Sequence, residues 1–250
     1  MSNVRLVAQN GPVPSSNPSW AVANPRWAVA EEIADAALRR YPDDIRAIGV
    51  HGALAHGDDA DGSAVHLVVV TRRPDVGPQP TGRRVANVIV DCGVISADEY
   101  LAHARTLSTS WPLAADQYVT TRPIYDPTGW HELLCDTHLA RLAGADEREF
   151  AALAREAWCP AATTLARAGA LAARYDSDGA LLTLGAARLA VALVDGLLNR
   201  TYFRGSADAV RRCRLGDAGL DELAARLRTQ AEELAARGVP VDAEPPDLFA

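Results

Sequence analysis

Three of the six histidines, His51, His56 and His66, fall in one short stretch of chain, and Asp91 lies on the next strand. Imidazole is the side chain that takes up and releases protons near neutral pH, and a carboxylate beside it can fix its orientation. Strand alternation puts Asp91 across from His66, so the sharp expectation is an acid–base pair with His51 and His56 in support. The plainer expectation is a half-exposed histidine tolerated in a pocket with no chemistry left. A three-histidine metal site is a weaker alternative, because alternate strand positions and a turn seldom converge on one ion. Cys92 follows Asp91 and should point to the opposite face as a core thiol. Cys159, between Trp158 and Pro160, is a remote candidate nucleophile. The acidic stretch Asp58-Asp59-Ala60-Asp61 lacks the ligand series of a calcium loop and reads as a solvated turn. Arg211-Arg212-Cys213-Arg214 reads as a solvated helix face or a subunit contact.

The elements that must carry these groups follow from periodicity. Residues 1–24, rich in Asn, Pro and Ser, read as a flexible leader. Trp27, Ala30, Ile33, Ala34, Ala37 and Leu38 repeat at helical spacing up to Arg40. Tyr41-Pro42-Asp43-Asp44 breaks that helix, and Ile45–Val50 forms a first strand leading into a Gly52 turn. Ala64–Thr71 forms a second strand and Arg84–Cys92 a third, on which Asn87, Ile89 and Asp91 share a face. Ser96-Ala97-Asp98-Glu99 is a capping box that opens a short helix. After Asp126-Pro127 the pattern turns helical, over residues 129–143, 146–174, 179–200, 206–213 and 217–237. Strands followed by helices indicate an α+β class, with a mixed sheet in residues 25–126 and a helical bundle in 127–250.

Composition narrows the function classes. A formal net charge of −7 argues against nucleic acid or an anionic membrane as partner and suits a cationic small molecule. All 25 basic residues are arginine, so Schiff-base chemistry, a P-loop lysine and a lysine acid are excluded. The four cysteines show no Cys-x-x-Cys spacing and suit a reducing cytoplasm. No unbroken run of about 18 apolar residues and no basic-then-apolar leader is present, so neither a spanning helix nor a signal peptide is expected.

The stretches Asp44-Ile45-Arg46-Ala47-Ile48-Gly49-Val50-His51-Gly52, Ser110-Trp111-Pro112-Leu113, Gln117 and Pro123-Ile124-Tyr125-Asp126 carry a resemblance. A later patch, Leu198-Asn199-Arg200-Thr201-Tyr202, extends it. Together they resemble the kanamycin (aminoglycoside) nucleotidyltransferases, from near Trp27 to near the C-terminus. The resemblance implies a nucleotidyltransferase-fold domain followed by a helical domain, paired as a homodimer whose clefts are shared between subunits. It also implies transfer of AMP from Mg-ATP to an aminoglycoside hydroxyl. In that family two carboxylates on one strand and a third on its neighbour hold magnesium, a helical-domain glutamate acts as base, and a Gly-Ser turn grips phosphate. Trp111 and Tyr125 belong to the family's structural signature and are expected in the core.

The chain departs from that pattern at most of its chemical positions. Ala64 and His66 stand where the strand pair of carboxylates is expected, while Asp91 keeps the third. Ala53 replaces the turn serine, and His56 replaces an arginine. The helical-domain base falls at Pro160 or, with a short gap, near Thr163. Glu156, one turn earlier, matches an acidic position that faces the aminoglycoside. One aspartate and one imidazole make a poor magnesium site. The site expected here therefore has His66, Asp91 and Glu156 as catalytic groups and His51, Gly52, His56 and Gln117 as substrate contacts, with no metal and no cofactor.

Three functions fit. The first is a repurposed cytoplasmic enzyme of a bacterial specialised-metabolite pathway, using metal-independent acid–base chemistry (rearrangement, dehydration, cyclisation or hydrolysis) on a small molecule. The second is a non-catalytic binder of a cationic sugar or related antibiotic. The third is a divergent nucleotidyltransferase that recruits metal through Asp91 with Asp58 or Asp61.

Overall fold

A computed structural model describes residues 24–242. The expected leader lies outside the described residues, apart from its last residue, Asn24. Asn24 caps the first helix, α1 (Pro25–Arg40), by accepting from the Arg26 backbone N–H, with Pro25 at the position where a missing N–H costs nothing. The strands are β1 (Ile45–His51), β2 (Val65–Thr71), β3 (Thr81–Val85), β4 (Val88–Ser96) and β5 (Arg122–Tyr125). They form one mixed sheet in the order β3-β4-β2-β1-β5, in which only β2 and β4 run parallel. The crossover from β2 to its parallel neighbour is made through the edge strand β3.

The third expected strand, Arg84–Cys92, is instead a hairpin. Ala86 and Asn87 both adopt positive φ (46° and 67°), a two-residue turn between β3 and β4. Such turns are usually announced by glycine, and Ala86 hides this one. Asn87 is therefore in the turn, while Ile89 and Asp91 do share a face of β4.

Each face of the sheet buries a separate apolar cluster. On one, Trp27, Ala30 and Ala34 of α1 pack on Ile45, Ile48, Val50, Leu67, Val69, Val90 and Cys92. The other carries α3 (Ala97–Ala104), α4 (Trp111–Thr120) and the start of α5 (Trp130–Gly144). Tyr100, Tyr118, Trp130 and Leu134 there cover Ala47, Val68 and Val70. Ser96 and Glu99 form the expected capping box at α3.

The helical region comprises α6 (Glu147–Ala173), α7 (Ser177–Leu198), α8 (Ser206–Arg212) and α9 (Leu220–Ala236). The fold class is thus α+β, with a mixed sheet followed by a helical C-terminal region. Among the described residues α7 alone is long and apolar enough to cross a membrane by length and composition. An unbroken-run criterion passes over it because Arg188 and Asp195 interrupt it. Its Ala187, Val191, Ala192, Val194 and Leu197 are buried in the core of the helical region.

One helix belongs to both cores. Trp111 and Ala115 of α4 sit in the helical cluster, whereas Tyr118, two turns further, sits in the sheet cluster. The Trp111 indole packs edge-on to Phe150, with ring centroids 5.0 Å apart, and donates to His138 Nε2 at 3.2 Å. Trp111 is buried as expected, and Tyr125 is partly buried against the α1 side of the sheet.

Candidate functional site

The histidines meet where the C-terminal end of β1 passes the N-terminal end of β2. His51 is the register partner of His66, which is in turn the register partner of Asp91 on β4. Pleating sends all three side chains to one face. The imidazoles of His51 and His66 stack, with centroids 5.5 Å apart and planes 29° apart. His66 Nδ1 lies 3.6 Å from Asp91 Oδ2, an ion-pair distance beyond direct hydrogen bonding and open to a bridging water. Both partners face solvent, at 40% and 67% side-chain exposure.

The turn behind these groups is held from two sides. Gly52 has φ +73°, and a Cβ placed there would lie 3.3 Å from His66 Cδ2, so a side chain would press on the imidazole. The chain then makes one helical turn, α2 (Ala53–His56), closed by left-handed Gly57. His56 Nε2 donates to both oxygens of Asp116 on α4, each at 3.0 Å. This pair is nearly excluded from solvent, at 10% and 7% exposure.

The acidic stretch after the turn is largely exposed, as expected of a solvated turn, but two of its carboxylates are anchored. Asp59 pairs with Arg26 and accepts from Asn24, and Asp58 pairs with Arg204 at 3.1 Å. Only Asp61 stands fully out in solvent. Arg204 belongs to the loop between α7 and α8, which docks on α4 when the Phe203 N–H donates to the Pro112 carbonyl at 2.6 Å. The same loop brings Tyr202 next to Asp116. Burial raises the Tyr202 pKa, and the Asp116 charge adds to the rise. Burial likewise lowers the pKa of His51, with neighbouring His66 acting in the same direction and Asp116 and Asp91 opposing it. The balance favours the neutral form of the His51 ring.

The residues singled out in the sequence divide accordingly. His51, Gly52, His66 and Asp91 come together. His56 is adjacent, but its donor is committed to Asp116. Gln117 is not in the cluster: its Oε1 accepts from the Tyr100 hydroxyl at 3.3 Å, on the α3 side of α4. The helix turns about 100° per residue, so Asp116 and Gln117 cannot both face the histidines. Glu156 is exposed on α6, which packs on α7 and α9, and among the described residues it has no hydrogen bond or ion pair. Within one chain it does not join the cluster. Asp116 and Tyr202 are the neighbouring polar groups that the sequence left unmarked. The one available signal was a carboxylate among the buried positions Trp111, Pro112, Ala115 and Tyr118 of α4.

Among the described residues no group of three His, Cys, Asp or Glu side chains is arranged to hold a metal ion. Cys92 is buried on the opposite face, as alternation requires, and Cys159 is exposed on α6; all four cysteines are free. Arg211 and Arg212 pair with Asp208 along α8.

No family model matches the chain. Two curated proteins, both aminoglycoside nucleotidyltransferases (4'), one from Staphylococcus aureus and one from a Bacillus species, are 31% identical to it over 109 residues. That segment covers 42% of this chain and 42% of each relative. A nucleotidyltransferase-like protein from Exiguobacterium sibiricum 255-15 aligns in structure with a TM-score of 0.41 and 14% identity, over 84% of this chain and 74% of the other. The chain is thus similar in sequence to kanamycin-type nucleotidyltransferases over that segment.

Proposed function

We propose that this chain is a nucleotidyltransferase-like protein whose cleft serves metal-independent acid–base chemistry on a small metabolite. The observation that carries this is the stacked His51–His66 pair with Asp91 beside His66. Two stacked imidazoles, one with a carboxylate at ion-pair distance and open to solvent, can take a proton from one atom of a bound molecule and return one to another. His51 would accept the proton, His66 would donate, and Asp91 would hold the His66 ring. Rearrangement, dehydration, cyclisation and hydrolysis can each use such a pair.

Magnesium, which the resemblance implies, requires several hard oxygen ligands. The cluster offers it one uncommitted carboxylate, Asp91, because Asp116 is bonded through both oxygens to His56 and position 64 is an alanine. This donor set does not fit the ion. Glu156 would reach a cleft only from a second copy, so a homodimer with shared clefts is part of the proposal. A cytoplasmic home in an antibiotic-producing pathway completes it, with neither nucleic acid nor membrane as partner.

A non-catalytic binder is favoured by one specific observation: Asp91, at 67% exposure in a chain of net charge −7, can hold a cationic amine without reacting. The experiment incubates the full chain with a panel of aminoglycosides and aminocyclitols, with and without Mg-ATP and with a chelator. Mass spectrometry reads conversion, and thermal shift reads binding. Conversion that survives the chelator and is lost in His66→Ala and Asp91→Asn is the expected outcome. Ligand stabilisation without conversion selects the binder. Magnesium-dependent appearance of a nucleotide-bearing product overturns both.

A further inference from the structure

We propose that a pocket on the opposite face of the sheet from the histidines binds a small apolar carboxylate such as a medium-chain fatty acid or an aryl acid. The pocket arises from a mismatch in width. α1 packs across β1, β2 and β5, while the β3–β4 hairpin continues the sheet beyond the helix. The space left between the helix edge and the hairpin is lined in part by Pro78 and Gln79 of the loop before β3. Its volume is about 280 Å³, near the lower end for small-molecule sites.

The floor and walls are apolar, with Leu67 and Val69 from β2, Val90 and Cys92 from β4, and Ile33 and Ala37 from α1. Leu67, Val69, Val90 and Cys92 are buried, so this is a recess in the core layer and not a shallow surface patch. An apolar recess of this size gains from an apolar occupant, since water finds few partners in it.

Two cations mark its mouth. Arg83 lies opposite Val90 in the β3–β4 register, on the pocket face of β3, and Arg40 comes from the last turn of α1. Among the described residues neither has a carboxylate partner; Arg40 only stacks over the Tyr41 ring, 5.6 Å from its centroid. A molecule with an aliphatic or aromatic body in the recess would present its head group between two guanidinium groups. That favours an anion and disfavours an amine, the reverse of the preference at Asp91. A carboxylate matches the planar fork of arginine. The site is independent of the proposed chemistry at His66, although Cys92 and Leu67 adjoin Asp91 and His66 in sequence.

The test uses the full chain, with octanoate as probe and octylamine as its cationic counterpart. Protection of Cys92 from a small thiol reagent, read peptide by peptide by mass spectrometry, reports occupancy of the floor. Octanoate is expected to protect Cys92 saturably. The Arg40→Ala/Arg83→Ala double variant, altered only at exposed positions, should require at least ten times more octanoate. Ala37→Leu, which fills the recess, should abolish octanoate-dependent protection, with circular dichroism verifying its fold. His66→Ala should leave octanoate protection unchanged, which separates this site from the histidine site. Equal protection by octylamine, protection indifferent to the arginine substitutions, or none at millimolar octanoate overturns the proposal.

Discussion

Among the described residues, two of the His–Asp pairs have their histidines on either side of the turn after β1, and they are opposites. His56–Asp116 is sealed from solvent and bonded through both carboxylate oxygens at 3.0 Å. His66–Asp91 is open to solvent, with its atoms 3.6 Å apart. A sealed, fully bonded pair fixes geometry, because breaking it strands a polar group away from water. An open, loosely joined pair contributes little to stability and leaves both groups free to meet a ligand. The same two residue types therefore do structural work on one side of the turn and are free for chemistry on the other.

The largest effect expected from this contrast is at the sealed pair. Asp116→Ala leaves the His56 donor without an acceptor and loosens α2 from α4, and it should lower unfolding stability by about 3 kcal/mol in urea titration. A loss below about 0.5 kcal/mol would place this pair in the same class as the open one.

The pH dependence of stability comes next. Burial lowers the pKa of His51, of His131 and of His138 from the ordinary 6.5. His138 donates from Nδ1 to the Ala104 carbonyl and accepts a hydrogen bond from the Trp111 indole N–H at Nε2, so a second ring proton has no acceptor. His131 donates from Nδ1 to Asp126, and its buried Nε2 faces Gly49 and has no hydrogen-bond partner among the described residues. The unfolded chain takes up protons near pH 6.5 that the folded chain resists. Stability should therefore be full above about pH 6.5, fall as pH drops below it, and level off beneath the lowered native values. The slope limit is about 1.4 kcal/mol per pH unit for each group. Chemical denaturation between pH 7.5 and 5 measures it, and a flat profile would contradict the burial of these rings. Asp126 acts in a more acidic window. Burial works against its ionised form, but the backbone N–H groups of His131 and Trp130 outweigh it and hold its pKa low.

The smallest effect is at the open pair. Asp91→Asn should change stability by less than about 0.5 kcal/mol. It should nonetheless shift the NMR resonances of the His66 ring, 3.6 Å away, and a stability loss as large as that of Asp116→Ala would erase the distinction between the pairs.

Much of this arrangement was legible in the residues because strand alternation is a two-state choice. Once β2 and β4 were recognised, His66 and Asp91 had to share a face and Cys92 had to take the other. Helices gave less. Gln117 drew attention through the resemblance, but only the packing of Trp111, Ala115 and Tyr118 decides that Asp116 faces the histidines. The Ala86–Asn87 turn was hidden for a related reason, since nothing in Val85-Ala86-Asn87-Val88 forces a positive φ. The anchoring of Asp58 by Arg204 joins residues far apart in sequence, and no local pattern encodes it.

The double membership of α4 has a mechanical consequence. Because Trp111 is wedged among the C-terminal helices and Tyr118 under the strands, neither half can melt without exposing aromatic surface of the other. Heating should then produce a single cooperative transition, and a fragment ending before α5 should be left with a bare indole where Phe150 and His138 once covered it.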